Sequence, residues 1–171
     1  MPAYDFDLGI LGGGAAGLTV AAGAARLGVK TLVVEKEPQL GGDCLHFGCV
    51  PSKTLIQTAK VRHLMATAGT YGLPGADLPP VDFRRVAARI REVIAAIQPH
   101  DSPERFCSLG AQVEFGEPAF ADEHVVDLGG RRVSAARWVV ATGSAAAVPA
   151  LPGLDGVPFL TNREIFSLDE L

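Results

Sequence analysis

The residues best suited to chemistry are two cysteines five positions apart, Cys44 and Cys49, in the stretch GGDCLHFGCVPSK (41–53). The only other cysteine is Cys107, and three in all are too few for a secreted disulfide framework, so a close pair reads as a redox or metal site rather than a staple. On regular helix, Cα atoms five residues apart lie about 8–9 Å from each other. A disulfide wants about 4.4–6.8 Å. A bridge therefore requires an irregular turn through His46-Phe47-Gly48, which Gly48 eases. So short a loop constrains little of the unfolded chain and adds little stability. Reversible redox use explains the pair better than a structural staple does. Two thiolates with His46 as metal ligands, or two inert thiols, are the alternatives, although the spacing matches none of the usual zinc patterns. A thiolate near a helix N-terminus is stabilised by the helix dipole. Cys107, beside Phe106 and Leu109 in the helix-like ERFCSLGA, reads as a packing residue.

A second constellation is Gly12-x-Gly14-x-x-Gly17. The first glycine allows a tight turn, the second lets the backbone approach a pyrophosphate, and the third lets helix pack closely on strand. A helix N-terminus adds a favourable environment for negative charge. The pattern alone is weak, but Glu35 ends the next predicted strand 18 residues after Gly17, where a carboxylate can accept hydrogen bonds from ribose hydroxyls. A bound dinucleotide is the expectation. NAD and FAD both carry an ADP half, and the fingerprint does not choose between them.

These residues need elements to hold them. FDLGIL (6–11) reads as a buried strand, GGGAAG as the turn, the alanine-rich segment to about Leu27 as a helix, and KTLVVEK (30–36) as a second strand. That order is a βαβ unit, which favours an open α/β sheet with parallel strands. A helix runs from about Cys49 to Ala68, interrupted near Pro51, and YGLPGADLPPVD is a loop. FRRVAARIREVIAAIQ (83–98) places Val86, Ile90, Val93, Ile94 and Ile97 on one face, as an amphipathic surface helix does. AQVEF (111–115), HVVDL (124–128) and RRVS (131–134) read as short strands, with Gly129–Gly130 as a hairpin turn, forming a small β-meander over 112–134. RWVVATG (137–143) is a buried strand running into a glycine, and the Pro- and Gly-rich tail reads as a connector.

The chain of 171 residues, 48% hydrophobic with a net charge of −4, has enough apolar content for a core. No basic stripe points to nucleic acid. No apolar run reaches membrane-spanning length, and the N-terminus lacks the basic flank of a secretory signal, so a cytoplasmic location is the default. His46, His63, His100 and His124 sit in no recognisable catalytic context and read as structural or surface residues.

Taken together, GGGAAG with Glu35, GGDCLHFGCVPSK, and ATG at 141–143 resemble the class I pyridine nucleotide–disulfide oxidoreductases. This is the family of dihydrolipoamide dehydrogenase, glutathione reductase and mercuric reductase, and the likeness covers essentially the whole chain. It implies an α/β Rossmann-like FAD-binding fold and FAD as the dinucleotide. It implies that Gly12, Gly14, Ala16 and Gly17 wrap the pyrophosphate, that Glu35 holds the adenosine ribose with Lys36 beside it, and that Gly42 and Asp43 lie along the cofactor. Pro118 would lie near the adenine and Thr142–Gly143 near the flavin half. Cys49 would be the flavin-proximal sulfur, Cys44 the interchange sulfur, and Lys53 a neighbour of the flavin N5. Electrons would pass from NAD(P)H through FAD to the Cys44–Cys49 disulfide and on to a disulfide or metal-ion acceptor. Asp43 and His46 replace the threonine and asparagine of the commonest motif, a departure that bears on the substrate.

The resemblance further implies that residues 1–150 are an N-terminal FAD-binding portion and 151–171 a connector toward an NAD(P)H-binding domain. The longer protein would be a homodimer, and this stretch alone would not turn over. The rivals are a non-catalytic flavin- or nucleotide-binding module working with partner chains, and a thiol metal-binding protein.

Overall fold

The computed structural model describes residues 4–170. The chain divides into two compact units, one formed by the chain up to Cys44 with Ile97–Ala145, the other by Leu45–Ala96 with the chain from Ala146 onward.

The first unit is built on a six-stranded sheet of order β3-β2-β1-β6-β5-β4. Strand β1 (Phe6–Leu11) is parallel to β2 (Thr31–Glu35) on one side and to β6 (Arg131–Val140) on the other, and β2 is parallel to β3 (Ala111–Phe115). Strands β4 (Pro118–Phe120) and β5 (Val125–Leu128) complete an antiparallel meander with the first half of β6. Helix α1 (Ala15–Arg26) makes the crossover from β1 to β2, and α5 (Pro103–Ser108) leads into β3. The βαβ unit and the parallel sheet are therefore as the sequence implies, and an antiparallel meander is present with a different first strand.

Both faces of the parallel strands are covered, which is why they read as unbroken apolar runs. One cluster gathers Ile10, Leu18, Ala21, Ala25, Val33, Leu40, Phe106 and Ala111. The other gathers Phe6, Leu11, Leu32 and Val34 with Val126, Val133 and Ala135 of the meander.

Three expectations change in the first unit. Ala111–Phe115 is not a meander strand: it joins the parallel set in register with β2, from Thr31↔Ala111 to Glu35↔Phe115. The two strands expected at 131–134 and 137–143 are one, because β6 continues through Ala135 and Ala136 and changes partner from β5 to β1 without breaking. Cys107 is exposed; it is the neighbouring Phe106 that enters the core, at 1% exposure.

In the second unit, α3 (Cys49–Ala66) runs without a break. Pro51 is its third residue, where the missing N–H lacks an intrahelical acceptor in any case, so no interruption follows. Helix α4 (Phe83–Ile97) buries Val86, Ala87 and Ile90 on one face, close to the expected stripe. The tail carries α6 (Asn162–Ile165), closed at its start by a capping box between Thr161 and Glu164. Asn162 Nδ2 donates to the Phe47 carbonyl at 3.4 Å, and the Arg163 guanidinium stands 4.9 Å from the Phe47 ring centroid. No helix among the described residues is long and apolar enough to cross a membrane.

Candidate functional site

The glycine turn sits at the carboxyl end of β1, between β1 and α1, where open α/β sheets bind ligands. Its shape is dictated by close backbone approaches. Gly12 has φ +107°, and a Cβ there would lie 2.3 Å from the Ala141 carbonyl oxygen. One on Gly17 would lie 1.9 Å from the Gly12 carbonyl oxygen. Gly14 is different: φ is −88°, and the nearest atom to an added Cβ is the Gly42 Cα at 3.6 Å. Gly12 and Gly17 are thus required by the protein's own packing. Gly14 is not, which leaves its lack of a side chain to be explained by something that approaches from outside.

Helix α1 begins at this point with no side-chain cap and no acidic residue in its first turn. Ala15 and Ala16 are exposed, so the start of the helix faces solvent and retains its partial positive charge. A glycine cradle followed by an uncapped, accessible helix start fits an anionic pyrophosphate.

Glu35 is buried, at 6% exposure, at the end of β2. One carboxylate oxygen accepts from the Gly13 amide at 2.6 Å and the other from the Glu37 amide at 2.8 Å. The carboxylate thereby sits beside the glycine turn, as the spacing implies. Lys36, next in sequence, is exposed. The chain then returns to the turn, where the Gly41 amide donates to the Gly13 carbonyl at 2.8 Å and Gly41 pairs with Gly14. Gly42, with φ +56°, would place a Cβ 2.7 Å from the Gly14 Cα. Leu40 lies outside the motifs quoted from sequence, and Gly13, Gly41 and Ala141 lie inside them without an assigned role. The Gly41–Gly42 doublet was the available signal, since paired glycines often mark close backbone approach.

On the other side of β1, register pairs Leu11 with Val140, and the Ala141 amide donates to the Leu11 carbonyl at 2.8 Å. This delivers Thr142 to the Gly12 turn, with Gly143 next in sequence and both exposed. Past β3, the Gly116 amide donates to the Glu35 carbonyl at 2.8 Å, and Pro118 follows as the first residue of β4. The structure thus brings Gly12, Gly14, Gly17, Glu35, Gly42 and Thr142 to one end of the sheet, with Gly143 and Pro118 in segments leading from it.

Helix α2 (Gly42–His46) carries Asp43, exposed, and Cys44, half-buried. Phe47 and Gly48 break the helix, and Cys49 opens α3. The irregular turn required between the cysteines is therefore present. Cys49 is exposed, at the uncapped start of the 18-residue helix. Lys53 lies one turn further on the same face and is exposed.

Residues 6–171 match the pyridine nucleotide-disulphide oxidoreductase family, and the chain belongs to it. It is 30% identical over 168 residues to a mercuric reductase of Bacillus cereus, covering 98% of this chain and 26% of that protein. It is 32% identical to a mercuric reductase of Streptomyces lividans, covering 97% of this chain and 36% of the relative. A dihydrolipoyl dehydrogenase of Mycoplasma genitalium is 33% identical, over 88% of this chain and 33% of its own length. The chain therefore spans about a quarter to about a third of these relatives. In fold it is similar to the HOCl-induced flavoprotein disulfide reductase RclA from Escherichia coli, with a TM-score of 0.78 at 24% identity over 97% of this chain and 35% of that one.

Proposed function

We propose that this chain supplies the FAD-binding and redox-active-disulfide portion of a flavoprotein disulfide reductase. In this reading residues 1–150 hold the cofactor and 151–171 lead out of it. The observation that carries the proposal is Gly14: bare of side chain without steric need from the protein, at the start of an uncapped helix, in a chain of the pyridine nucleotide-disulphide oxidoreductase family. Backbone amides at Gly14–Gly17 bind the pyrophosphate, Glu35 orients the ribose, and Gly42 and Asp43 flank the cofactor. Pro118 adjoins the adenine and Thr142–Gly143 the flavin. Bound FAD supplies two-electron exchange with NAD(P)H as donor. Reduction of the Cys44–Cys49 disulfide breaks one S–S bond, takes up two electrons and two protons, and yields two thiols. Cys44 then attacks the acceptor, Cys49 faces the flavin, and Lys53 sits beside it. The acceptor is a disulfide or a metal ion, the classes represented by the relatives' names, and the working protein is a homodimer.

The test is a visible spectrum of the purified protein with added FAD, before and after thiol reduction. Retained flavin with a new long-wavelength absorption band on reduction is expected. Cys49→Ser should abolish the band and Cys44→Ser should keep it. Failure to retain flavin, or a band indifferent to Cys49, overturns the corresponding assignment.

A further inference from the structure

We infer that Gln98 is a positioning residue for the dinucleotide cradle, its side-chain amide setting the Leu40 carbonyl and through it the Gly41–Gly42 step against Gly13–Gly14. The inference rests on the FAD reading above for its functional consequence, and on geometry for its substance.

The segment from Lys36 to Leu40 contains neither helix nor strand, yet it must return the chain from Glu35 to the glycine turn. Leu40 anchors it. The side chain is fully buried in the cluster that contains Phe106, and its Cδ2 would lie 2.4 Å from a Cβ on Gly13. Its carbonyl accepts from Gln98 Nε2 at 3.0 Å, across 58 residues of sequence. The same nitrogen donates to the Asp101 carbonyl at 3.3 Å, within the 3₁₀ turn Gln98–Asp101. Two carbonyls use both hydrogens of the amide nitrogen, and they fix its orientation, because the flipped amide would set oxygen against oxygen.

The other end of the side chain makes the case sharper. Gln98 Oε1 is buried and accepts no hydrogen bond among the described residues. A buried acceptor without a donor is destabilising, so the Oε1 end is not what the side chain contributes here. What Gln98 provides is a donor at one place, the Leu40 carbonyl, one residue before the Gly41 amide that closes on Gly13.

The experiment uses Gln98→Met, which keeps the shape and removes the donor, and Gln98→Glu. Amide hydrogen exchange at Gly41 is read in the ligand-free protein, and FAD affinity is titrated in parallel. For Gln98→Met, exchange at Gly41 should accelerate and FAD Kd should rise, each about tenfold, while amides of β1 and β2 keep their protection. For Gln98→Glu, the carboxylate faces two carbonyl oxygens at neutral pH and the loss should be larger. It should diminish, relative to wild type at the same pH, as the side chain protonates and regains a donor. Unchanged Gly41 exchange in Gln98→Met overturns the proposal. So does a loss of protection spread evenly over the sheet, or a Gln98→Glu defect indifferent to pH. If the wild-type protein fails to bind FAD, the flavin reading falls, and Gly41 exchange still decides whether Gln98 sets the cradle.

Discussion

At the scale of single residues, the three fingerprint glycines look alike in sequence and separate in the structure. Gly17→Ala drives a methyl group into the Gly12 carbonyl and should cost about 3 kcal/mol or more in unfolding free energy. Gly14→Ala meets nothing closer than 3.6 Å and should cost under about 1 kcal/mol while weakening dinucleotide binding. Equal losses of Tm in the two variants would contradict the distinction. Asp5 offers a pH-dependent test. The Ser134 backbone amide and hydroxyl both donate to its carboxylate and hold its pKa below the usual carboxylate value. A depressed folded-state pKa stabilises the fold above the unfolded-state value, and that contribution is lost as pH falls through the folded one. Asp5→Asn should therefore lose less Tm than wild type on acidification below about pH 4. The glycines, Glu35 and the cysteine pair were legible because turn geometry and thiol chemistry tie residue type to position. Leu40 and Gln98 were not, because a bond across 58 residues leaves no local pattern.

At the scale of elements, hydrophobic period foretold which segments are helices and strands, and it left open how neighbouring residues and strands are partnered. The period of α4 foretold its buried face. Phe106 and Cys107 are adjacent in the short helix α5, and only tertiary packing determines which of them turns inward. Ser102 caps that helix by accepting from the Arg105 amide at 3.3 Å. Phe106→Ala should destabilise by about 3–5 kcal/mol, Cys107→Ala by under about 0.5 kcal/mol, and Ser102→Ala by about 1 kcal/mol, all readable by denaturant titration. Reversal of the first two would restore Cys107 to the core. The change of partner along β6 was equally hidden, since Ala135 and Ala136 carry no turn signal and look like a break only if the strands are assumed to be separate.

At the scale of the whole molecule, exposed apolar side chains are plentiful along α3, where Ile56, Val61, Leu64 and Met65 are all about half exposed. Ile56 and Leu64 line a shallow apolar hollow with Ala59, Lys60 and His63. Patches of this kind bind hydrophobic dyes. The protein should enhance the fluorescence of 1-anilinonaphthalene-8-sulfonate, and Ile56→Glu with Leu64→Glu should reduce that signal without lowering Tm; an unchanged signal would place the dye elsewhere. The partner change in β6 also fixes an order of events in time. The Gly12 turn directly follows β1, but the carbonyl that walls it belongs to Ala141, just past the end of β6, the last of the six strands in sequence order. A nascent chain can build the β1–α1–β2 crossover early and yet leaves the Gly12 turn without this wall until β6 slots between β1 and β5. The closing of that turn must therefore wait for the arrival of a single late strand.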